Sequence, residues 1–216
     1  TSMMATPLQP PSDPAETVKW TAAVRLPEDA NQIVIADSRK KIYRIRVGEQ
    51  LRELASKDLE KELLGPAAGV GNTFVASLSG PAADFVVGYD LVGLDEKFRT
   101  LLNGRITWGP VAVGDVCLLR TDDSMLRAFA DDGTQKFEVQ LPPGKPVGQP
   151  VALDQSILLA GADGWLVNVD AGNGQLLGQT DLGQPISATP LPAGGKSLLV
   201  PGAEGVVYIV DLPSKP

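Results

Sequence analysis

The stretch SILLAGADGWLVNVDAGNGQLLGQTDLG, Ser156 to Gly183, reads as three short strands joined by two glycine turns. The apolar run Ile157-Leu158-Leu159 leads into Gly161-Ala162-Asp163-Gly164 and then the alternating Trp165-Leu166-Val167-Asn168-Val169. Asp170-Ala171-Gly172-Asn173-Gly174 follows, and a last segment runs from Gln175 to Leu182. Strict alternation over a short window predicts a half-buried strand. Asp-Gly and Asn-Gly predict type I′ hairpin turns, whose two central residues both need positive φ.

Working outward, the same layout recurs. Thr21 to Val47, TAAVRLPEDANQIVIADSRKKIYRIRV, aligns with Ser187 to Leu212, SATPLPAGGKSLLVPGAEGVVYIVDL. Further units run through Leu63 to Leu102 and Thr107 to Leu141. The prolines that open the later units, Pro66, Pro110, Pro150 and Pro190, lie 44, 40 and 40 residues apart. The central turns at Lys40, Asp84, Ser124, Gly164 and Gly205 lie 44, 40, 40 and 41 apart. A period near 40 made of short strands is the signature of β-propeller blades, each a four-stranded sheet. Helical repeats share that period, but glycine and proline at every junction and the β-branched runs argue against them. The expectation is an all-β propeller of about five four-stranded blades. Glu49 to Leu63, EQLRELASKDLEKEL, has helical propensity with Leu51, Leu54, Leu59 and Leu63 on a rough face, yet it occupies an outer-strand slot, and a strand or irregular edge is expected. The last unit shows three strands and no fourth. Glu16-Thr17-Val18-Lys19-Trp20 stands where a closing strand would come from, so the N-terminal strand is expected to complete the last blade and remove its edge. The rival arrangement is an arc of five blades from a larger ring.

Thr1-Ser2-Met3 reads as a cloning remnant before Met4, and Ala5 to Thr17, with Pro7, Pro10, Pro11 and Pro14, reads as an extended linker. Residues 1–16 are therefore assigned to remnant and linker, and 17–216 to the propeller domain. No stretch approaches the roughly 20 apolar residues of a membrane span, so direct membrane insertion is not expected. A net charge of −7 argues against nonspecific binding to nucleic acid. The basic run Arg39-Lys40-Lys41, with Arg44 and Arg46, reads as a solvated hairpin tip and guarded edge. The chain has no histidine, which removes the commonest general base and every Ser-His or Cys-His nucleophile pair. The single cysteine, Cys117, sits in the apolar run Val116-Cys117-Leu118-Leu119 and is expected to be a buried strand residue.

Carboxylates invite an acid/base or calcium reading at Asp122-Asp123 and Asp131-Asp132, and at Asp163, Asp170, Asp181, Glu204 and Asp211. Their recurrence at equivalent turns favours turn chemistry, since aspartate bonds its own backbone there. Trp165, Phe85, Met125, Lys41 and Val206 share one slot after the central turn, which points to an intersheet packing layer. Trp108, in Ile106-Thr107-Trp108-Gly109-Pro110, enters an inner strand and is the aromatic singled out for ligand or partner contact. Arg105, Arg120 and Arg127 are the polar residues expected to assist it.

Gly161 to Gln179, GADGWLVNVDAGNGQLLGQ, Gly202 to Asp211, GAEGVVYIVD, and Thr121 to Phe137, TDDSMLRAFADDGTQKF, resemble the blades of the quinoprotein-like, or PQQ-like repeat, family. That family includes the lipoprotein BamB and the quinoprotein alcohol dehydrogenases. The resemblance implies a propeller fold and a periplasmic, cell-envelope or secreted setting. The dehydrogenases of the family use an eight-bladed ring, an adjacent-cysteine disulfide, a calcium ion and an aspartate base. One cysteine and about five blades depart from that pattern, so neither quinone nor any other cofactor or metal is expected. The function expected is a noncatalytic protein-interaction scaffold within a larger bacterial protein. The alternative is a carbohydrate-binding or glycoside-processing propeller centred on Trp108.

Overall fold

A computed structural model describes residues 18–214, and the remnant and the whole linker, Glu16-Thr17 included, lie outside the described residues. The fold is all-β, and each sheet is an antiparallel meander in chain order. The first sheet holds β1 (Val24–Arg25), β2 (Gln32–Asp37), β3 (Lys41–Arg46) and β4 (Arg52–Asp58). The second holds β5 (Leu63–Val70), β6 (Thr73–Leu78), β7 (Phe85–Asp90) and β8 (Glu96–Leu101). The third holds β9 (Ile106–Val113), β10 (Val116–Thr121), β11 (Met125–Phe129) and β12 (Gln135–Gln140). The fourth holds β13 (Val151–Ala152), β14 (Ser156–Ala160), β15 (Trp165–Asp170) and β16 (Leu176–Asp181). The fifth has three strands, β17 (Leu191–Pro192), β18 (Ser197–Pro201) and β19 (Val207–Asp211). Within the helix-prone Glu49–Leu63 stretch, Arg52–Asp58 forms the outer strand β4 and Leu63 opens β5, because pairing with β3 outweighs weak intrinsic propensity.

The chain divides into two compact units. One spans Thr1–Arg105 with Ala130–Thr134, and the other spans Ile106–Phe129 with Gln135–Pro216. In the first unit Val34, Ala36 and Ile42 of the first sheet share one core with Phe74, Ala76, Leu78 and Val87 of the second. In the second unit Leu118, Leu126 and Ala128 of the third sheet meet Ile157, Leu159, Val167 and Val169 of the fourth. The opposite face of the fourth sheet presents Leu158, Ala160 and Leu166 to Leu198 and Val200 of the fifth. Neighbouring residues of β14 thus serve two different cores, which is why Ser156–Ala160 is buried throughout and reads as a continuous apolar run.

One expectation falls partly outside the described residues, and one is corrected. Glu16-Thr17, the start of the expected closing strand, lie outside the described residues, and among the described residues no fourth strand is seen on the fifth sheet. In the described part, Trp20 bridges antiparallel to Asp37, Thr21 N–H donates to Ala36 O, and Ser38 N–H donates to Lys19 O. The Trp20 ring also packs on Tyr43 at 5.6 Å. These bonds prolong the pairing of β1 with β2 in the first sheet, and the fifth sheet holds three strands among the described residues. The turns differ as well. Gly164 and Gly174 are left-handed, at φ 106° and 71°, but Asp163 and Asn173 are not. The connections are longer than two residues, so only one position per turn needs positive φ. At the equivalent central turns Lys40 and Ser124 accept that conformation without being glycine. In the second sheet the equivalent connection widens into the loop before Asp84.

One packing device recurs. The outer strand of a sheet is covered by the turn between the third and fourth strands of the next sheet. A Cβ on Gly133 would run into the Phe98 ring, and one on Gly174 into the Phe137 ring. A Cβ on Gly178 would meet Pro213 and Ser214. Arg44 Nη1 donates to Val92 O at 2.7 Å, and Asn168 Nδ2 donates to Pro213 O at 3.2 Å, from equivalent third-strand positions.

Candidate functional site

Aspartates at the turns direct their carboxylates at their own backbone. Asp90 Oδ1 accepts from Val92 and Gly93 N–H, and Asp170 Oδ1 accepts from Gly172 and Asn173 N–H. Asp37 Oδ1 accepts from Arg39 and Lys41 N–H, and Asp181 Oδ1 from Gly183 N–H. Each bond fixes a loop where the chain reverses, the role that aspartate plays in Asx turns. Among the described residues no three His, Cys, Asp or Glu side chains group to hold a metal ion.

The four residues singled out for contact separate into two settings. Arg105 belongs to the first unit, where its Nη1 lies 2.7 Å from Asp84 Oδ1 and 2.8 Å from Gly80 O, while Nη2 donates to Pro81 O at 2.9 Å. It ties down the loop that leads into β7. Trp108, Arg120 and Arg127 belong to the third sheet. Trp108 lies directly opposite Arg120 and packs, half-buried, against the core of the second unit. Arg120 is 6% exposed, and its Nη2 donates to Ser124 Oγ at 2.7 Å. Arg127 is 4% exposed. It pairs with Leu119 and Glu138, which places it on the sheet face opposite Trp108 and Arg120.

Arg127 is the centre of a polar cluster that the sequence reading did not assemble. Its Nη2 lies 3.0 Å from Asp123 Oδ2, its Nε 3.4 Å from Glu138 Oε2, and its Nη1 donates to Thr121 Oγ1. The signal was present as Asp123 and Arg127 four residues apart, but a strand–turn–strand path, not a helix, brings them together. The hydrogen bond from Arg127 holds the Asp123 carboxyl down at about 2, against the burial that opposes it. A lowered carboxylate stabilises the folded state above its unfolded value near 4 and loses that contribution as pH falls toward 2. Thermal melts at pH 5 and pH 2.5 should therefore show a smaller acid-induced loss for Asp123→Asn than for the unsubstituted protein. An equal loss would remove Asp123 from the acid response.

Cys117 is fully buried on β10, and burial pushes its thiol up to about 12. The thiolate is the reactive form. Labelling by a disulfide reagent at pH 8 is expected only with a rate that rises with denaturant, and rapid labelling of the native protein would overturn this. Trp165 is likewise a core residue, with Nε1 donating to Pro143 O at 2.7 Å. The basic run forms the β2–β3 turn as expected, with Arg39 Nη2 3.3 Å from Asp37 Oδ2 and Lys41 over the Tyr43 ring, but β3, which carries Arg44 and Arg46, is paired on both sides and guards no edge.

What sequence reasoning missed is the surface of the fifth sheet. Leu191, Val207 and Ile209 are 57%, 59% and 76% exposed. The available signal was the run Val206-Val207-Tyr208-Ile209-Val210, whose alternate positions Val207 and Ile209 put branched apolar side chains on one face.

No protein-family model and no curated protein sequence matches the chain. Solved structures do, at the level of fold. The chain is similar to BamB from Moraxella catarrhalis, with a TM-score of 0.62 and 15% identity over 91% of this chain and 65% of that one. It is similar to the C-terminal WD40 domain of Sif2, with a TM-score of 0.65 and 14% identity over 95% of this chain and 58% of that one. A chain of BBS1N in complex with ARL6DN gives 0.64 and 13% identity over 99% of this chain and 68% of that one. The chain spans less than two thirds of the BamB and Sif2 chains. These likenesses establish the β-propeller fold.

Proposed function

We propose that the protein is a protein-interaction scaffold. One observation carries the reading. On the fifth sheet Leu191, Val207 and Ile209 turn apolar side chains outward. Clustered apolar surface on an otherwise ordered β framework is characteristic of a protein contact. The reading is supported by the likeness to BBS1N, whose structure was solved in complex with ARL6DN. Trp108 and Arg105 are proposed as further contact residues, each within its own unit. Arg120 and Arg127 are proposed to position the strands beside Trp108.

The test is capture by the immobilised protein from its native extract, followed by crosslinking. A partner at fixed stoichiometry is expected, with recovery reduced at least about tenfold by Leu191→Glu, equivalent to ~1.4 kcal/mol. No partner above a heat-unfolded bait would overturn the scaffold reading. The finer proposal, a PQQ-like repeat protein of the bacterial envelope or exterior, is supported by the repeat text of Gly161 to Gln179 and by the likeness to BamB. Fractionation of the native host decides it, and recovery in the cytoplasm alone would reject it. The propeller domain is proposed to cover residues 17–216, in which case a single unfolding transition is expected by calorimetry and two separated ones would divide it.

A further inference from the structure

The fifth sheet differs from the others in its outer edge. Leu212 N–H donates to Lys196 O and Gly202 N–H to Val206 O, while Val210 lies opposite Leu198 and Tyr208 opposite Val200. These pairs direct the backbone groups of Val206, Tyr208 and Val210 toward β18. Antiparallel alternation then turns the N–H and C=O of Val207, Ile209 and Asp211 to the open side. No lysine, arginine, proline or bulge guards this strand. Three of the four outer strands carry two or more charges: Arg52, Glu53 and Lys57 on β4, Glu96, Lys97 and Arg99 on β8, and Lys136 and Glu138 on β12, whereas β16 carries only Asp181 and β19 only Asp211. β19 therefore has the composition of a covered third strand, matching β15, with its covering strand missing among the described residues.

The complete sheets show what such an edge accepts. At the position equivalent to Ile209, the pairs between third and fourth strands are Arg44 with Ala55, Gly88 with Phe98, Ala128 with Phe137, and Asn168 with Gly178. The sizes are reciprocal. A long third-strand side chain faces alanine or glycine, and a small one faces phenylalanine. In all four sheets the register shifts directly after this pair. We infer that β19 is a strand-addition site, which takes an extended segment of a partner protein as its fourth, antiparallel strand, with glycine or alanine opposite Ile209 and a bulge directly after it. Backbone bonds supply the affinity of such a complex, and the side-chain slot supplies its selectivity. The inference rests on the scaffold reading and specifies its mode. A second copy is the wrong occupant, because a two-fold β19 pair centred on Ile209 sets two large side chains in a slot that never holds two and cannot share a one-sided bulge.

The probe is a labelled synthetic peptide of residues 174–182, GQLLGQTDL, the chain's own outer strand with Gly178 at the critical position. Anisotropy is read against the whole protein. Saturable binding is expected, weakened at least about tenfold by Ile209→Pro, which removes an outward N–H and leaves the bonds to β18 in place. Ile209→Lys, which keeps the backbone, is expected to weaken it likewise, and a Gly178→Phe peptide is expected to bind at least about tenfold more weakly, a loss of ~1.4 kcal/mol. Melting temperatures of both variants check that they fold. Equal binding by both folded variants, or no saturable binding by the unsubstituted protein while partner capture persists, overturns the strand-addition mode and leaves the scaffold reading standing. Loss of partner capture as well brings down both. A dimer abolished by Ile209→Lys assigns the edge to a second copy and also overturns the inference.

Discussion

Phe74→Ala is expected to lower the free energy of unfolding by about 3–5 kcal/mol. Phe74 is fully buried on β6, opposite Tyr89, in the core shared by the first two sheets. Truncation removes most of the ring's apolar area and leaves a cavity that β-sheet backbones on both sides cannot close, so transfer and cavity costs add. Urea titration followed by tryptophan fluorescence measures the effect. Leu101→Ala serves as the control, since Leu101 is among the exposed residues of β8 and should change stability by no more than about 0.5 kcal/mol. Equal effects of the two substitutions would mean that the first unit has no tightly packed core.

Asp37→Ala is expected to cost about 3–5 kcal/mol, the range for breaking one member of a buried charged network. The Asp37 side chain is fully buried. It accepts from the Tyr43 hydroxyl at 2.9 Å and from the backbone N–H groups of Arg39 and Lys41, and it pairs with Arg39. Removal leaves those donors without their acceptor in a position that water does not reach. A second readout separates this network from general destabilisation. Burial first, and then the bond to Asp37, push the Tyr43 hydroxyl up to about 12. Asp37→Asn should lower that value but leave it above the ordinary 10, because burial is the larger cause. Since Tyr43 titrates higher when folded, its contribution is complete below pH 10 and is lost as pH rises toward 12. Ultraviolet titration of the phenol checks both statements, and an unchanged Tyr43 value in Asp37→Asn would break the proposed link.

Much of the architecture was legible because the repeat multiplies weak local signals. One Asp-Gly turn proves little, but central turns near 40 residues apart left few alternatives to propeller blades. The strand slots carried over even into Glu49–Leu63, where local propensity pointed the other way. The candidate site was far less legible. Arg120 and Arg127 differ by seven residues, yet their side chains lie on opposite faces of one sheet and reach different residues, Ser124 and Asp123, of the same β10–β11 turn. Trp108 and Trp165 look alike as strand aromatics, but only the second is sealed, by a bond to Pro143 O.

The amino-acid sequence by itself determined the period, the number of sheets, the burial of Cys117 and the use of aspartate at turns, because these depend on side-chain alternation and on bonds within a few residues. Tertiary structure alone decided which strand Trp20 joins, which turn residues take positive φ, and which edge is left without a partner among the described residues. Those outcomes rest on competition between segments far apart in the chain for the same backbone donors and acceptors. Such competition is resolved by pairing geometry in three dimensions, and no local pattern records its winner.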